Sequence, residues 1–147
     1  MANPDCEVLL TEEPLAPSQH RFPEETGAVV DFLGVVRGIE NGAEISGILY
    51  EAHQLMAEHQ LRSISERGAR EFDLAQVIVQ HRIGFVPVGE SSLFVRVGSR
   101  HRAAAFRACA WIVDELKKCA PIWKHPRFQK ANEPGRRAGL ASATAAA

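Results

Sequence analysis

Apolar and turn-forming residues in the first half of the chain predict two strands joined by a turn. Residues 27–38 are rich in β-branched side chains and bounded by glycines, which is typical of a strand, and Gly34 within them indicates a bulge. Asn41 and Gly42 form a strong turn signal, and residues 45–52 resume the strand pattern. We therefore expect a hairpin or a long bent pair of strands in this segment.

The second half alternates between helical and extended patterns. Apolar residues recur every three or four positions over 53–72, which predicts a helix with one buried face. Residues 75–83 and 92–97 predict strands, the second with one buried face, and residues 100–119 predict another helix, with Ser99 as its N-cap. Because strand pairs alternate with single helices, we predict an α+β fold with a largely antiparallel sheet and two main helices.

The two ends of the chain differ from the central domain, which we place at 27–130. Residues 1–26 contain four prolines and little periodicity, so we predict an N-terminal arm in which residues 8–10 form an edge strand. Residues 131–147 are low in complexity, and we predict that they are disordered.

Charge is divided unevenly along the 147 residues, although the net charge is only −1. Residues 1–99 hold seven Lys/Arg against fifteen Asp/Glu, a charge of −8, and residues 100–147 hold ten against three, a charge of +7. No apolar run approaches the ~18–20 residues of a membrane helix, and the acidic N-terminus lacks the features of a signal peptide. The three cysteines have no CxxC spacing, which argues against a zinc site or a disulfide framework and favours a cytoplasmic location.

The start of the second predicted helix concentrates positive charge. Arg100, His101 and Arg102 fall in its first turn, where each cation opposes the helix dipole by ~0.3–1 kcal/mol. The same turn has free N–H groups, so amides and cations would converge on a bound anion. This turn is therefore either a solvated basic turn or an anion site, and the turn alone does not favour the anion site.

Two lysines near the end of that helix are candidates for chemistry. At ~100° per residue, Lys117 falls on the same apolar stripe of the helix as Phe106. Burial on that stripe would lower the pKa of the lysine, and a neutral amine can act as a base or a nucleophile. The alternative is a lysine that extends to water at the helix C-terminus. Pro121 ends the helix, and Lys124 follows closely enough to share a pocket with Lys117.

Other polar side chains carry weaker signals. Arg37 ends the first predicted strand beside a glycine, where it either reaches the rim of a site or leaves the edge of a sheet. His81 and Arg82 lie late in their strand and are expected to face the surface or a neighbouring strand. Cys109 is expected to be a small core residue.

Short motifs stand in a fixed order between residues 27 and 124. They are GAVVDFLGVVRG at 27–38, Leu49-Tyr50-Glu51, Met56-Ala57, His81-Arg82-Ile83-Gly84, Val88-Gly89-Glu90, Ser99-Arg100-His101-Arg102, Ala105-Phe106, Leu116-Lys117 and Pro121-Ile122-Trp123-Lys124. Each motif is weak alone, but their order is specific. Together they resemble the large, catalytic subunit of molybdopterin synthase, the MoaE family.

The resemblance implies an α/β-hammerhead type of α+β fold and a homodimer. Each copy would bind a small ubiquitin-like sulfur-carrier subunit (MoaD-like), giving a heterotetramer with two carriers. The carrier's Gly-Gly tail, ending in a thiocarboxylate, would enter a pocket and supply sulfur to cyclic pyranopterin monophosphate. Two transfers would form the dithiolene of molybdopterin. The resemblance implies no metal, no cofactor, no nucleic acid and no membrane.

The resemblance also assigns roles to individual residues. The catalytic residues would be Lys117 and Lys124. The substrate-binding residues would be Arg37, His101, Arg102, Lys117, Lys124 and His125. Lys117 would act as the base or the transient nucleophile, and Lys124 would hold the carrier's terminal carboxyl group or the opened intermediate.

One position departs from the pattern of the family. Pro126 stands where the family has a glutamate two residues after its second lysine, which predicts a differently shaped loop after Lys124. Either the enzyme is active with a rebuilt loop, which we favour, or the chain is a catalytically weakened paralogue that still binds the carrier. Nucleic-acid binding by the basic residues 100–147 is the weakest alternative, because aromatic residues are scarce there.

Overall fold

The computed structural model describes residues 3–18, 21–129 and 144–145. Within these ranges the chain forms two helices and nine strands. In chain order the elements are β1 (Asp5–Thr11), β2 (Ala28–Val35), β3 (Ile39–Glu40), β4 (Ala43–Ala52), α1 (Gln54–Glu71), β5 (Gln76–Arg82), β6 (Gly84–Pro87), β7 (Ser91–Ser99), α2 (Arg102–Cys119), β8 (Ile122–Phe128) and β9 (Thr144–Ala145). The predicted α+β class with two main helices is confirmed.

Four strands form the first sheet in the order β1-β5-β7-β2, with β1 and β5 parallel and the other neighbours antiparallel. Both helices pack against this sheet. Leu61 and Ile64 of α1 share a buried core with Ile112 and Leu116 of α2 and with Val95 of β7. Each of these side chains contributes about 1.5–3 kcal/mol by burial, so this layer is the main source of apolar stabilisation.

The central strand β7 is buried on both faces, although its alternation predicted one buried face. Arg96 points away from the helices, donates at 2.7 and 2.8 Å to the two carboxylate oxygens of Asp31, and also donates to the carbonyl of Ser18. Its guanidinium group stacks over the ring of Phe22. The segment before β2 therefore covers the outer face of the sheet, which is why Arg96 is only 4% exposed.

The N-terminal segment contributes a strand to the first sheet. The edge strand predicted at 8–10 is confirmed and extends over Asp5–Thr11. Part of the predicted arm at 1–26 is thus integrated into the sheet, and the proposed limits of the central domain stay predictions. The tail at 131–147, predicted to be disordered, lies outside the described residues except for Thr144–Ala145, which pair with β8.

The strand β4 organises the second sheet, where it pairs with β3, β6 and β8. The predicted turn is confirmed, since Asn41 and Gly42 have φ of 50° and 80° and join β3 to β4. The predicted pairing of 27–38 with 45–52 is wrong, because β2 pairs with β7 instead. The bulge expected at Gly34 is confirmed by a shift in register between Gly34 and Val35, and the chain enters the second sheet after it. There the short β3 forms the hairpin with β4.

The helix α2 begins two residues later than predicted. The helix begins at Arg102 with His101 as its N-cap, whereas Ser99 is the last residue of β7 and its hydroxyl donates to the His101 carbonyl. β7 leads directly into α2, so the first turn of the helix lies at the end of the sheet where β2 begins. Because α2 then packs along β2 and β7, its last turn lies toward the end of β2.

A strand follows α2 after Pro121, and the loop expected after Lys124 is not formed. This strand, β8, pairs antiparallel with β4. Pro126 is buried within it, opposite Ile48 in the register. Proline has no backbone N–H to donate, yet the strand continues to Phe128, so proline at this position is compatible with a continuous strand.

Candidate active site

The strand β8 presents two basic side chains. Lys124 lies opposite Tyr50 of β4, and its half-buried Nζ is 3.8 Å from Oε1 of Glu40. Nε2 of the next residue, His125, is 3.1 Å from Oε1 of Glu51. Both predicted site residues of β8 thus have a carboxylate partner from the hairpin of β3 and β4.

A buried aromatic pair, Tyr50 and His81, lies next to the strand that carries Lys124, since Tyr50 is opposite Lys124 in the register. The two ring centroids are 5.2 Å apart in an edge-to-face arrangement. Burial raises the pKa of Tyr50, and the negative charge of Glu40 adds to the rise. Burial lowers the pKa of His81 to about 4, against the effect of its hydrogen bond to the Arg82 carbonyl. His81 and Arg82 are both buried, so the surface orientation considered for them is wrong.

Arg37 is exposed just beyond the end of β2. The backbone before it is fixed by two hydrogen bonds, from Val36 N to the Glu90 carbonyl at 3.0 Å and from Gly89 N to the Val36 carbonyl at 2.9 Å. The Glu90 carboxylate accepts a hydrogen bond from Nη1 of buried Arg82 at 2.6 Å. An anchored backbone therefore presents Arg37 to solvent, which fits the predicted position on a rim.

Lys117 is exposed, so the predicted burial of its side chain is wrong. The prediction centred the apolar stripe on Phe106, but Phe106 is 62% exposed, and Lys117 lies on the same side of the helix. The buried stripe of α2, which includes the predicted core cysteine, consists of Ala105, Ala108, Cys109, Ile112, Val113 and Leu116. Lys117 instead extends to water in the last helical turn, where the dipole favours a cation, as the alternative predicted.

His101 and Arg102 are exposed at the start of α2. Among the described residues, His101 makes no side-chain capping hydrogen bond, and the first turn of α2 has no acidic residue. The amides of a first helical turn lack partners within the helix, so this end fits the predicted anion site. However, Arg102 and Lys117 are fifteen residues apart on one helix, which separates them by about 22 Å along its axis. Within one chain, the structure does not bring His101 and Arg102 to the lysines.

The other predicted site residues lie toward the opposite end of the molecule. The last turn of α2, with Lys117, lies toward the end of β2, after which Arg37 follows. Glu40 comes three residues after Arg37 and reaches Lys124, which is followed by His125. Four predicted basic side chains therefore share this end, although they belong to different elements.

The carboxylates at this end were not predicted from the sequence. Glu40 was part of a turn signal, and Glu51 was only one letter of a strand motif. Their contacts with Lys124 and His125 depend on how β3, β4 and β8 align, which no local pattern encodes. The one signal that could have suggested such pairs is that acidic residues on two strands and basic residues on a third could pair across a sheet.

The chemistry open to these basic side chains is the binding of anions. Arginine and lysine bind phosphate and carboxylate groups through charge-assisted hydrogen bonds. Over the described residues, no group of three His, Cys, Asp or Glu side chains is placed to hold a metal ion. Neither helix in the described ranges is apolar enough to cross a membrane.

Comparison with known proteins identifies relatives over most of the chain. The family model described as MoaE protein matches residues 10–119. The molybdopterin synthase catalytic subunit of Thermoplasma volcanium is 35% identical over 129 residues, which cover 85% of this chain and 93% of the relative. The molybdopterin synthase catalytic subunit of Pyrococcus abyssi is 42% identical over 99 residues, which cover 67% of each protein.

Solved structures show the same fold. Molybdopterin synthase from Staphylococcus aureus has a TM-score of 0.75 at 29% identity and covers 88% of this chain and 94% of its own. A complex of subunits 1 and 2 of molybdopterin-converting factor from Helicobacter pylori contains a chain with a TM-score of 0.61 at 16% identity. The family and the class of enzyme predicted from the motifs are confirmed. The chain belongs to the MoaE family of molybdopterin synthase catalytic subunits.

Proposed function

We propose that the chain is the large subunit of a molybdopterin synthase and transfers sulfur to cyclic pyranopterin monophosphate. The sulfur comes from the thiocarboxylated C-terminus of a small ubiquitin-like carrier, and two transfers build the dithiolene. The observation that carries this proposal is the match to a catalytic subunit along 93% of that relative's length. The four basic side chains at one end of the molecule also support it, because the substrate phosphate and the carrier tail are both anions.

Each basic residue has a proposed task that suits its position. Arg37, on its anchored rim, binds the substrate phosphate, and His125 adds a second contact. Lys124, half-buried on β8, holds the carrier's terminal carboxyl group or the opened intermediate. Lys117 acts as the base or the transient nucleophile. Because Lys117 is exposed in the free subunit, the carrier and the substrate must themselves exclude water from it.

We propose that His101 and Arg102 complete the site of a second copy in a homodimer. The length of α2 keeps them away from the basic residues at the other end of their own chain. Nearby elements expose large apolar side chains, namely Leu33 and Val35 on β2, at 52% and 51%, and Phe106 on α2, at 62%. A second copy would remove such side chains from water, and two carriers bound to the dimer would give the heterotetramer.

A turnover assay with thiocarboxylated carrier and cyclic pyranopterin monophosphate tests the reaction by measuring the dithiolene product. Lys117→Ala is expected to slow product formation by ~10²-fold or more, since a general base or a nucleophile contributes at least that much. Lys118→Ala is the matched control, because that neighbour is 70% exposed and pairs with Glu115. Sulfur transfer by Lys117→Ala at the parental rate would show that the role assigned to Lys117 is wrong.

Mixing two inactive variants tests whether two copies share a site. If two copies share each site, a dimer of one Lys117→Ala chain and one Arg102→Ala chain has one intact site of two. About half of the dimers in an equal mixture combine the two variants, so the mixture should regain about a quarter of the parental activity. Each variant alone should be inactive. If every site is built from one chain, the mixture stays as inactive as its components.

A catalytically weakened paralogue that keeps carrier binding is the second candidate. Pro126 favours it, because a buried proline stands where the family has a glutamate. Intact carrier binding with no product at high enzyme concentration would support this candidate over the first. We propose a cytoplasmic location for either form, consistent with the three free cysteines.

A further inference from the structure

Lys124 already has a carboxylate partner from its own chain. Oε1 of Glu40 lies 3.8 Å from Nζ of Lys124, and the two side chains are 19% and 26% exposed. Glu40 is also close enough to Tyr50 to contribute to the raised pKa of that phenol. Because the pair is partly shielded from water, the attraction exceeds that between two fully exposed charges.

The contact between Glu40 and Lys124 is long, and one partner lies on a slender element. Charge-assisted N–H···O bonds measure ~2.7–2.9 Å, so a separation of 3.8 Å leaves room for another anion to approach Nζ more closely. Glu40 ends the two-residue strand β3, next to the turn at Asn41 and Gly42. Its side chain can therefore rotate away from Lys124 without breaking the main strand pairs of either sheet.

We propose that Glu40 is a placeholder anion for Lys124, which holds the ammonium group in the free subunit and is displaced by the carrier's C-terminal carboxylate or thiocarboxylate. This inference rests on the proposed function, in which the carrier's terminus reaches Lys124. Two like charges then compete for one ammonium group, so Glu40 weakens binding of the carrier. The same competition acts on the carboxylate that remains after sulfur transfer, and it speeds release of the spent carrier.

Calorimetry with the purified carrier in its carboxylate form tests the competition. Glu40→Gln keeps the size of the side chain and removes the charge, so the carrier is expected to bind about two- to fivefold more tightly at low ionic strength. The gain should shrink as salt is added. Glu40→Asp keeps the charge and is expected to bind as the parent does. Glu58→Gln, on the exposed face of α1, controls for the loss of one acidic charge elsewhere.

Three further measurements separate a local competition from a general change in charge. A carrier whose C-terminus is amidated should bind the parent and Glu40→Gln equally, because it has no carboxylate to compete. In a Lys124→Ala background, Glu40→Gln should have no effect, since the two positions act through one contact. In the background with Lys124 present, dissociation of the carboxylate carrier from Glu40→Gln should slow in proportion to the gain in affinity.

The outcomes distinguish this inference from the function on which it rests. If the carrier binds the parent and Lys124→Ala weakens that binding, but Glu40→Gln binds like the parent, the inference alone is overturned. Tightening that persists with the amidated carrier also overturns it. If the carrier binds neither the parent nor Glu40→Gln, the proposed function fails and the inference fails with it.

Discussion

His81 makes the stability of the protein depend on pH below neutrality. The imidazole is 2% exposed, and burial lowers its pKa from 6.5 to about 4. One pKa unit corresponds to about 1.4 kcal/mol, so protonation of this residue favours the unfolded chain by up to about 3 kcal/mol. Above pH 6.5 the contribution of His81 to stability is fully present. It is lost progressively as the pH falls from 6.5 to about 4, because only the unfolded chain binds the proton in that window.

Urea unfolding at pH 7 and at pH 4.5, followed by tryptophan fluorescence, measures this effect. The parent is expected to lose about 2–3 kcal/mol of unfolding free energy through His81 over that interval. His81→Phe keeps a ring beside Tyr50 but cannot titrate, so its unfolding free energy should depend less on pH by the same amount. His59→Gln, which removes an exposed histidine from α1, is the matched control and should follow the parent.

The difference between variants, and not the pH dependence of any one of them, is the decisive quantity. Carboxylates also protonate between pH 7 and pH 4.5, and they do so in all three proteins. If His81→Phe and the parent lost the same unfolding free energy over the interval, the reasoning from burial would be refuted. A lower stability of His81→Phe at pH 7 alone would not affect it, since the hydrogen bond to the Arg82 carbonyl is also removed.

Packing gives two further predictions, both measured by the free energy of unfolding. Ile112→Ala should lower it by about 2–5 kcal/mol because Ile112 is fully buried, whereas Leu55→Ala should change it by less than about 0.5 kcal/mol because Leu55 is 79% exposed. Gly47→Ala should lower it by about 1–3 kcal/mol because a Cβ atom there would lie 2.5 Å from the Val86 carbonyl oxygen. Gly34→Ala should lower it less, because a Cβ atom at Gly34 meets its nearest neighbour at 3.4 Å. Equal effects within either pair would contradict the packing described.

Local signals predicted the elements well, and non-local pairing was beyond them. The Asn41-Gly42 turn and both helices were predicted within a few residues, because glycine, proline and helical periodicity act over short distances. The partner of β2 was predicted wrongly. Proximity in sequence favours a hairpin, but β2 pairs with β7, which follows β4, α1, β5 and β6 in the chain.

The residues proposed for the candidate site were chosen from the order of the motifs, and their surroundings could not be predicted from the sequence. The order of motifs pointed to Lys117 and Lys124, but the helical stripe misplaced Lys117 because Phe106 is an apolar residue on a solvent-facing side. Position in a strand could not show that His81 is buried, since that depends on the contact with Tyr50 from the second sheet. The approach of Glu40 to Lys124 likewise depends on the alignment of three strands.

The continuous helix α2 acts as a rod that sets a distance. Its backbone hydrogen bonds keep Arg102 about 22 Å from Lys117, whatever is bound at either end. In the proposed homodimer, each site would combine the first turn of one copy of α2 with the last turn of the other. The spacing between the two sites is then the length of a helix that cannot stretch, so a carrier bound at one site cannot draw the cations of the other site any closer.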